Sequence, residues 1–90
     1  NTASSALDYP ARLIQQGQFT NAITELEQAR AQRPNDPDVL EMLGRAYYGS
    51  GQLDKAGFYL RRAMRMQRTG GEHAREYNAM LLDMSQQAQN

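Results

Sequence analysis

"GQFTNAITELEQA", residues 17–29, and "GQLDKAGFYLRRA", residues 51–63, stand 34 residues apart and follow one pattern. Under this shift Gly17 falls on Gly51, Gln18 on Gln52, Ala22 on Ala56, Leu26 on Leu60 and Ala29 on Ala63. Phe19 falls on Leu53, which keeps the position apolar. Self-similarity at a fixed period of a few tens of residues marks a supersecondary unit that stacks on copies of itself.

The flanking residues define the unit. From Asp36 to Gly49 the pattern is helical, with Leu40, Leu43 and Tyr47 on one stripe. Asp36 is placed to cap this helix, Pro37 suits its first turn, and Asp38 and Glu41 complement the positive end of its dipole. Gly44 lies inside it, at a cost of about 1 kcal/mol relative to alanine, and predicts a second helix crossing closely there. "GSG" at 49–51 breaks the chain. A second helix is then expected over about Asp54–Gln67, with Ala56, Leu60, Ala63 and Met64 inward, until "TGG" at 69–71 stops it.

One period earlier the chain predicts a helix over about Ala3–Gln16, striped by Ala6, Tyr9 and Leu13, and a second over about Thr20–Arg33 before "RPNDP". Pro10 either kinks the first of these or occupies the first turn of a helix that starts near Tyr9. A fifth helix is expected over 72–88, with Tyr77, Leu81, Met84 and Ala88 on one face. Its stripe continues the earlier first helices in register, as Tyr9, Leu43, Tyr77 and as Leu13, Tyr47, Leu81. The expected arrangement is two helix pairs, about 3–36 and 37–70, with a closing helix in a single domain spanning 1–90.

Composition narrows the functions. Ninety residues fit one small domain, 40% of them hydrophobic, with no Trp and with Phe19 and Phe58 as the only phenylalanines. Ten basic residues balance ten acidic ones, so no global field favours DNA or an anionic membrane. The absence of cysteine excludes disulfides, thiolate metal sites and cysteine catalysis. No apolar run approaches the ~20 residues of a membrane-spanning helix. No signal-peptide pattern is visible, but a start at Asn1 rather than Met is expected of a processed or excised piece. The compartment, cytosol or bacterial periplasm, stays open.

Few residues suggest chemistry. His73, the single histidine, lies beside Glu72 and Glu76 and reads as a solvated helix-face residue rather than a metal ligand or base. Asp38, Glu41 and Arg45 share a face, and Glu41–Arg45 reads as an i,i+4 ion pair on a wet surface. Ser4, Ser5, Ser50 and Ser85 have no histidine partner in local sequence, and "TGGEH" lacks the Lys-Ser/Thr of a phosphate loop. Catalysis is not expected, and no metal or cofactor is implied. Between 54 and 75, Lys55, Arg61, Arg62, Arg65, Arg68 and Arg75 oppose only Asp54 and Glu72. With zero net charge and no aromatic interleaving this reads as a solvated face rather than a nucleic-acid surface. Met64 and Met84 lie on core stripes as gap fillers, while Met42, Met66 and Met80 are not assigned.

These residues resemble the tetratricopeptide repeat family, whose 34-residue signature is W-x₂-L-G-x₂-Y…A-x₃-F…P. In the second unit Leu40, Leu43, Gly44 and Tyr47 match its first half, with Leu in place of Trp. Ala56, Leu60 and Ala63 match the second half, with Leu for Phe, and Arg68 stands where Pro is usual. In the first unit Ala22, Leu26, Ala29 and Pro34 fit, while Tyr9, Pro10 and Leu13 fit loosely; the closing helix carries Asn78 at the glycine place. The resemblance implies an all-α, right-handed superhelical α-solenoid of antiparallel helix pairs, two repeats plus a C-terminal capping helix, five helices in all. Two and a half units are few for a solenoid, which normally needs ~3 repeats, and suggest a fragment, a capped minimal domain or a self-associating module.

The resemblance further implies that the first helices line a concave groove for a protein or peptide partner. Stepping by 34 gives three columns for it: Ile14, Tyr48 and Leu82; Leu7, Glu41 and Arg75; and Ala11, Arg45 and Ala79. Some relatives hold a partner's C-terminal carboxylate with Lys, Asn and Arg in this groove, but Leu7 and Ala11 occupy corresponding places here and argue against that mode. Two functions follow: an adaptor or scaffold that binds a partner in the groove, or a structural module that self-associates or docks within a longer chain. The glutamine-rich, cysteine-free composition suits a bacterial envelope assembly factor.

Overall fold

The structure, a computed structural model, describes residues 2–67 and 74–89, with side chains over 7–66, 75–76 and 78–87. Among the described residues there are five helices and no strand: α1 (Thr2–Gln15), α2 (Phe19–Gln32), α3 (Pro37–Gly49), α4 (Leu53–Gln67) and α5 (Ala74–Gln89). They stack into a slab of 40 × 30 × 20 Å. The expected ends agree to within two residues wherever they are described; "TGG" and His73 lie outside the described residues.

The repeated Gly-Gln is a helix stop built twice in the same way. Gly17 and Gly51 take φ of 77° and 85°, the left-handed region that a glycine enters without a Cβ clash. The Gln18 N–H donates to the Leu13 carbonyl at 2.8 Å and the Gly17 N–H to that of Ile14 at 3.0 Å. One unit on, Gln52 donates to Tyr47 at 2.9 Å and Gly51 to Tyr48 at 3.1 Å. This paired 6→1 and 5→2 bonding is the Schellman cap, which satisfies carbonyls that a helix end leaves open. The next helix starts at once, since Ala22 N–H already bonds to Gln18 and Ala56 N–H to Gln52. In the third unit Ser85 stands at the place of Gly17 and Gly51, and α5 passes through it without turning.

The remaining punctuation behaves as its chemistry dictates. The Asp36 carboxylate accepts from the Asp38 N–H at 2.9 Å, with Pro37 in the first turn of α3. Pro10 is tolerated inside α1, which runs from Thr2 without a late start near Tyr9.

The core joins the units. Ala22, Leu26, Val39, Leu40, Leu43, Ala46, Ala56, Leu60 and Ala63 are fully buried, and Ala29 packs half-buried against them. α3 is the centre of the stack, in contact with α4, α2 and α1. A Cβ on Gly44 would come within 2.6 Å of Leu60 Cγ and 3.2 Å of the Leu60 backbone nitrogen, so this glycine is the crossing point of α3 and α4. Gly49 serves the joint between units, since the Phe19 ring occupies the space of its absent side chain. Met84 is buried, and Met42, Met64 and Met80 pack half-buried on the core, consistent with gap filling.

The stripe of α1 differs from the expectation. Tyr9 is 53% exposed, while Leu7, Pro10 and Leu13 are buried. Its counterpart Leu43 lies on a helix packed between α2 and α4, whereas α1 among the described residues packs on α2 and α3 and turns Leu7 and Leu13 there. Ala6, Tyr77 and Ala88 lie outside the described side chains.

Candidate functional site

One face of the slab is formed by α1, α3 and α5, the first helices of successive units. The sequence columns map onto it unevenly. Ile14 and Tyr48 are half-buried, packed with one side on the core, and Leu82 is 61% exposed. Ala11 is half-buried, and Arg75 and Ala79 are exposed. Leu7 is removed from this surface: it is only 7% exposed and belongs to the core, because α1 turns it toward its neighbours in place of Tyr9.

The charged members of the face are tied to one another. Arg45 reaches Glu41 on its own helix at 3.0 Å and Glu76 on α5 at 2.5 Å. The Glu41 side chain is only 12% exposed, so this ion pair is half-buried rather than on a wet surface. Burial disfavours the Arg45 charge, but bonds to Glu76 and Glu41 outweigh it and hold the guanidinium above its ordinary pKa. Alongside, the Tyr48 hydroxyl donates to the Asp83 carboxylate at 2.5 Å, which with burial raises the phenol's pKa. Gln87 donates to the same carboxylate. α5 is thus fixed to α3 by two polar links.

A second polar cluster lies among α2, α3 and α4. The Tyr47 hydroxyl donates to Glu27 at 2.6 Å, and Arg30 Nε donates to the other Glu27 oxygen at 2.7 Å. Tyr47 stacks on Tyr59 at 5.8 Å, and Lys55 sits 5.3 Å above the Tyr47 ring. Burial, then the Glu27 bond, pushes the Tyr47 phenol up to about 12. Burial alone would raise Glu27, but Tyr47 and Arg30 bring it below its usual value. This cluster ties α2 of one unit to α3 of the next. Tyr47 marks the position in sequence, but nothing in the spacing identifies Glu27 and Arg30 as its partners.

The basic run of 54–75 is divided in the structure. Lys55 is engaged with Tyr47, Arg62 donates to Asn35 Oδ1 at 3.1 Å, and Arg61 and Arg65 are exposed. Phe58, which the sequence reading left out of this patch, is 51% exposed beside them. Arg68 lies outside the described residues. Among the described residues no group of three or more His, Cys, Asp or Glu is placed to hold a metal ion, and no helix is long and apolar enough to cross a membrane.

Paired helices in a repeated frame define a helical-repeat solenoid. A family model described as tetratricopeptide repeat matches residues 13–81, and the chain belongs to that family. Its repeats are in general non-catalytic modules for protein–protein interaction. Comparison with curated proteins and with solved structures finds no match.

Proposed function

We propose that this chain is an adaptor or scaffold domain that receives an apolar helix or extended peptide on the α1–α3–α5 face. The units are 3–36 and 37–70 with a closing helix over 72–88, in one domain of residues 1–90. The carrying observation is Leu82, 61% exposed on α5 and outside the packed core; with Ile14 and Tyr48, half-buried at the equivalent places of α1 and α3, it makes the apolar strip of this reading. Ala11, Ala79 and Arg75 border this strip, and Glu41 and Arg45 border it already paired. Because those charges neutralise one another, the face suits apolar anchors at helical spacing rather than a captured carboxylate. Such a role fits an assembly factor that brings proteins together.

The test is a selection of peptides from a displayed helical library on the intact chain, with binding then measured by anisotropy. Selected peptides are expected to carry apolar residues at i, i+3 or i+4, and i+7, and to bind nearly independently of salt. Leu82→Gln is expected to weaken them by about tenfold, the value of one well-placed apolar anchor. Tyr48→Phe, which keeps the ring, should change binding little. Unchanged affinity in Leu82→Gln would remove this face as the site. Sedimentation at several concentrations separates the alternative of a self-associating module, which a persistent monomer opposes.

A further inference from the structure

The outward crest of α4 carries a second surface, away from the α1–α3–α5 face. Ala56, Leu60 and Ala63 bury one side of α4. The opposite side presents Phe58, Arg61 and Arg65 at i, i+3 and i+7, all exposed. Among the described residues Phe58 is one of three large exposed hydrophobic residues, and its ring stands edge-on to Tyr59 at 5.1 Å and 77°. Among the described residues neither Arg61 nor Arg65 forms an ion pair, and Arg62 beside them is bonded to the neutral amide of Asn35.

Gly57 adds an independent observation. A glycine in a helix interior costs about 1 kcal/mol, and Gly44 and Gly49 have a reason for it in another helix that fills their space. At Gly57 the three nearest atoms to an added Cβ all belong to the Arg61 guanidinium, the closest at 3.0 Å. Among the described residues none of these nearest atoms comes from another helix; Gly57 is buried, and the Arg61 guanidinium lies over it, next in sequence to Phe58. The chain therefore holds an arginine fork next to an exposed ring at a local cost in helix propensity.

We infer that Phe58, Arg61 and Arg65 form a docking crest for an acidic amphipathic helix of a protein partner. Arg61 and Arg65 are one helical turn apart along α4, a rise of about 6 Å, which is also the rise between carboxylate-bearing residues at i and i+4 on a facing helix. Arginine pairs with carboxylate through two parallel N–H donors, which lysine does not offer. Phe58 supplies the apolar contact such a helix needs for its own anchor. A nucleic acid is the weaker occupant, because a chain with ten basic and ten acidic residues has no summed field to gather phosphates.

The experiment is an amide NMR titration of the whole chain with three probes. One is a helix-forming peptide of about 14 residues with glutamates at i,i+4 and one phenylalanine, the second is its glutamine counterpart, and the third is a dT oligonucleotide of about ten bases. The acidic peptide is expected to shift resonances over 54–65, and its binding to fall roughly tenfold with the glutamine counterpart or in Arg61→Gln/Arg65→Gln. Phe58→Ala should weaken it severalfold, and Leu82→Gln should leave it unchanged, which separates this crest from the groove. Equal binding of the glutamine peptide overturns the proposal, as does tighter binding of the oligonucleotide. Shifts centred on Tyr48 and Leu82, or no shift up to about 1 mM peptide, overturn it as well. The peptide comparison uses the unaltered chain, so it stands whatever the substitutions do to folding.

Discussion

Gly44 and Gly57 allow one chemical change to be made twice with opposite expected signs. Replacing glycine by alanine in a helix interior removes backbone freedom from the unfolded chain and gains about 0.5–1 kcal/mol where the space is open. At Gly57 the new methyl meets only the far end of a flexible side chain, the Arg61 guanidinium at 3.0 Å, which yields at little cost. At Gly44 it would stand 2.6 Å and 2.7 Å from Leu60 Cγ and Cδ2 and 3.2 Å from the Leu60 backbone nitrogen. Leu60 is fully buried, so its side chain has nowhere to move, and α4 itself must shift. Overpacking of this kind costs about 1–3 kcal/mol, against the same propensity gain. Gly57→Ala is therefore expected to be more stable than the parent, Gly44→Ala equal or less stable, and the two to differ by about 1–3 kcal/mol. Thermal unfolding followed by circular dichroism at 222 nm should show a gap between them of about 4–24 °C for a domain of this size. Urea unfolding checks that both keep the parental slope. Equal midpoints, or a more stable Gly44→Ala, would refute the close crossing of α3 and α4.

Leu26→Ala removes a fully buried side chain at the joint of the two units and should cost about 2–5 kcal/mol, a fall in midpoint of at least about 8 °C in the same assay. A smaller loss would mean that the joint collapses around the gap or is not closely packed. Tyr47→Phe removes the bond to Glu27 and should cost about 1 kcal/mol at neutral pH. Because folding raises the Tyr47 phenol from 10.0 to about 12, the associated stability is complete below pH 10 and is lost as pH rises through about 12. The variant should lose less stability than the parent over that alkaline window, measured by urea unfolding at each pH. Identical alkaline curves would mean that Tyr47 is not the source.

The frame was legible because every repeated residue has a physical task that leaves a chemical trace. A cap glycine, small residues at a crossing and leucines at helical spacing leave few alternatives, and Gly17, Gly44, Ala56 and Leu60 all do what their positions imply. Pro34, Asp36 and Pro37 mark the boundary between units in the same way. Tyr9 and Leu7 depart from the register of α3 because α3 is packed between α2 and α4, whereas α1 turns Leu7 and Leu13 toward α2 and α3. Periodicity specifies a stripe but not which of two adjacent stripes a neighbour covers. The polar links were invisible for a related reason. Arg45–Glu76 and Tyr48–Asp83 join residues 31 and 35 positions apart, and nothing local distinguishes such carboxylates from solvated ones. Residue type alone does not separate Phe58 from a core aromatic; its outward place follows from its angle on the helix relative to the buried Ala56, Leu60 and Ala63.

Growth of this stack depends on a change of backbone hand at one residue per unit. Each time the chain reaches a glycine that accepts positive φ, it reverses and lays down a second helix. Serine at that place keeps the right-handed conformation, and the helix goes on straight. Where the chain turns is thus written less in its leucines, which any helix could supply, than in the absence of a Cβ at a single recurring position.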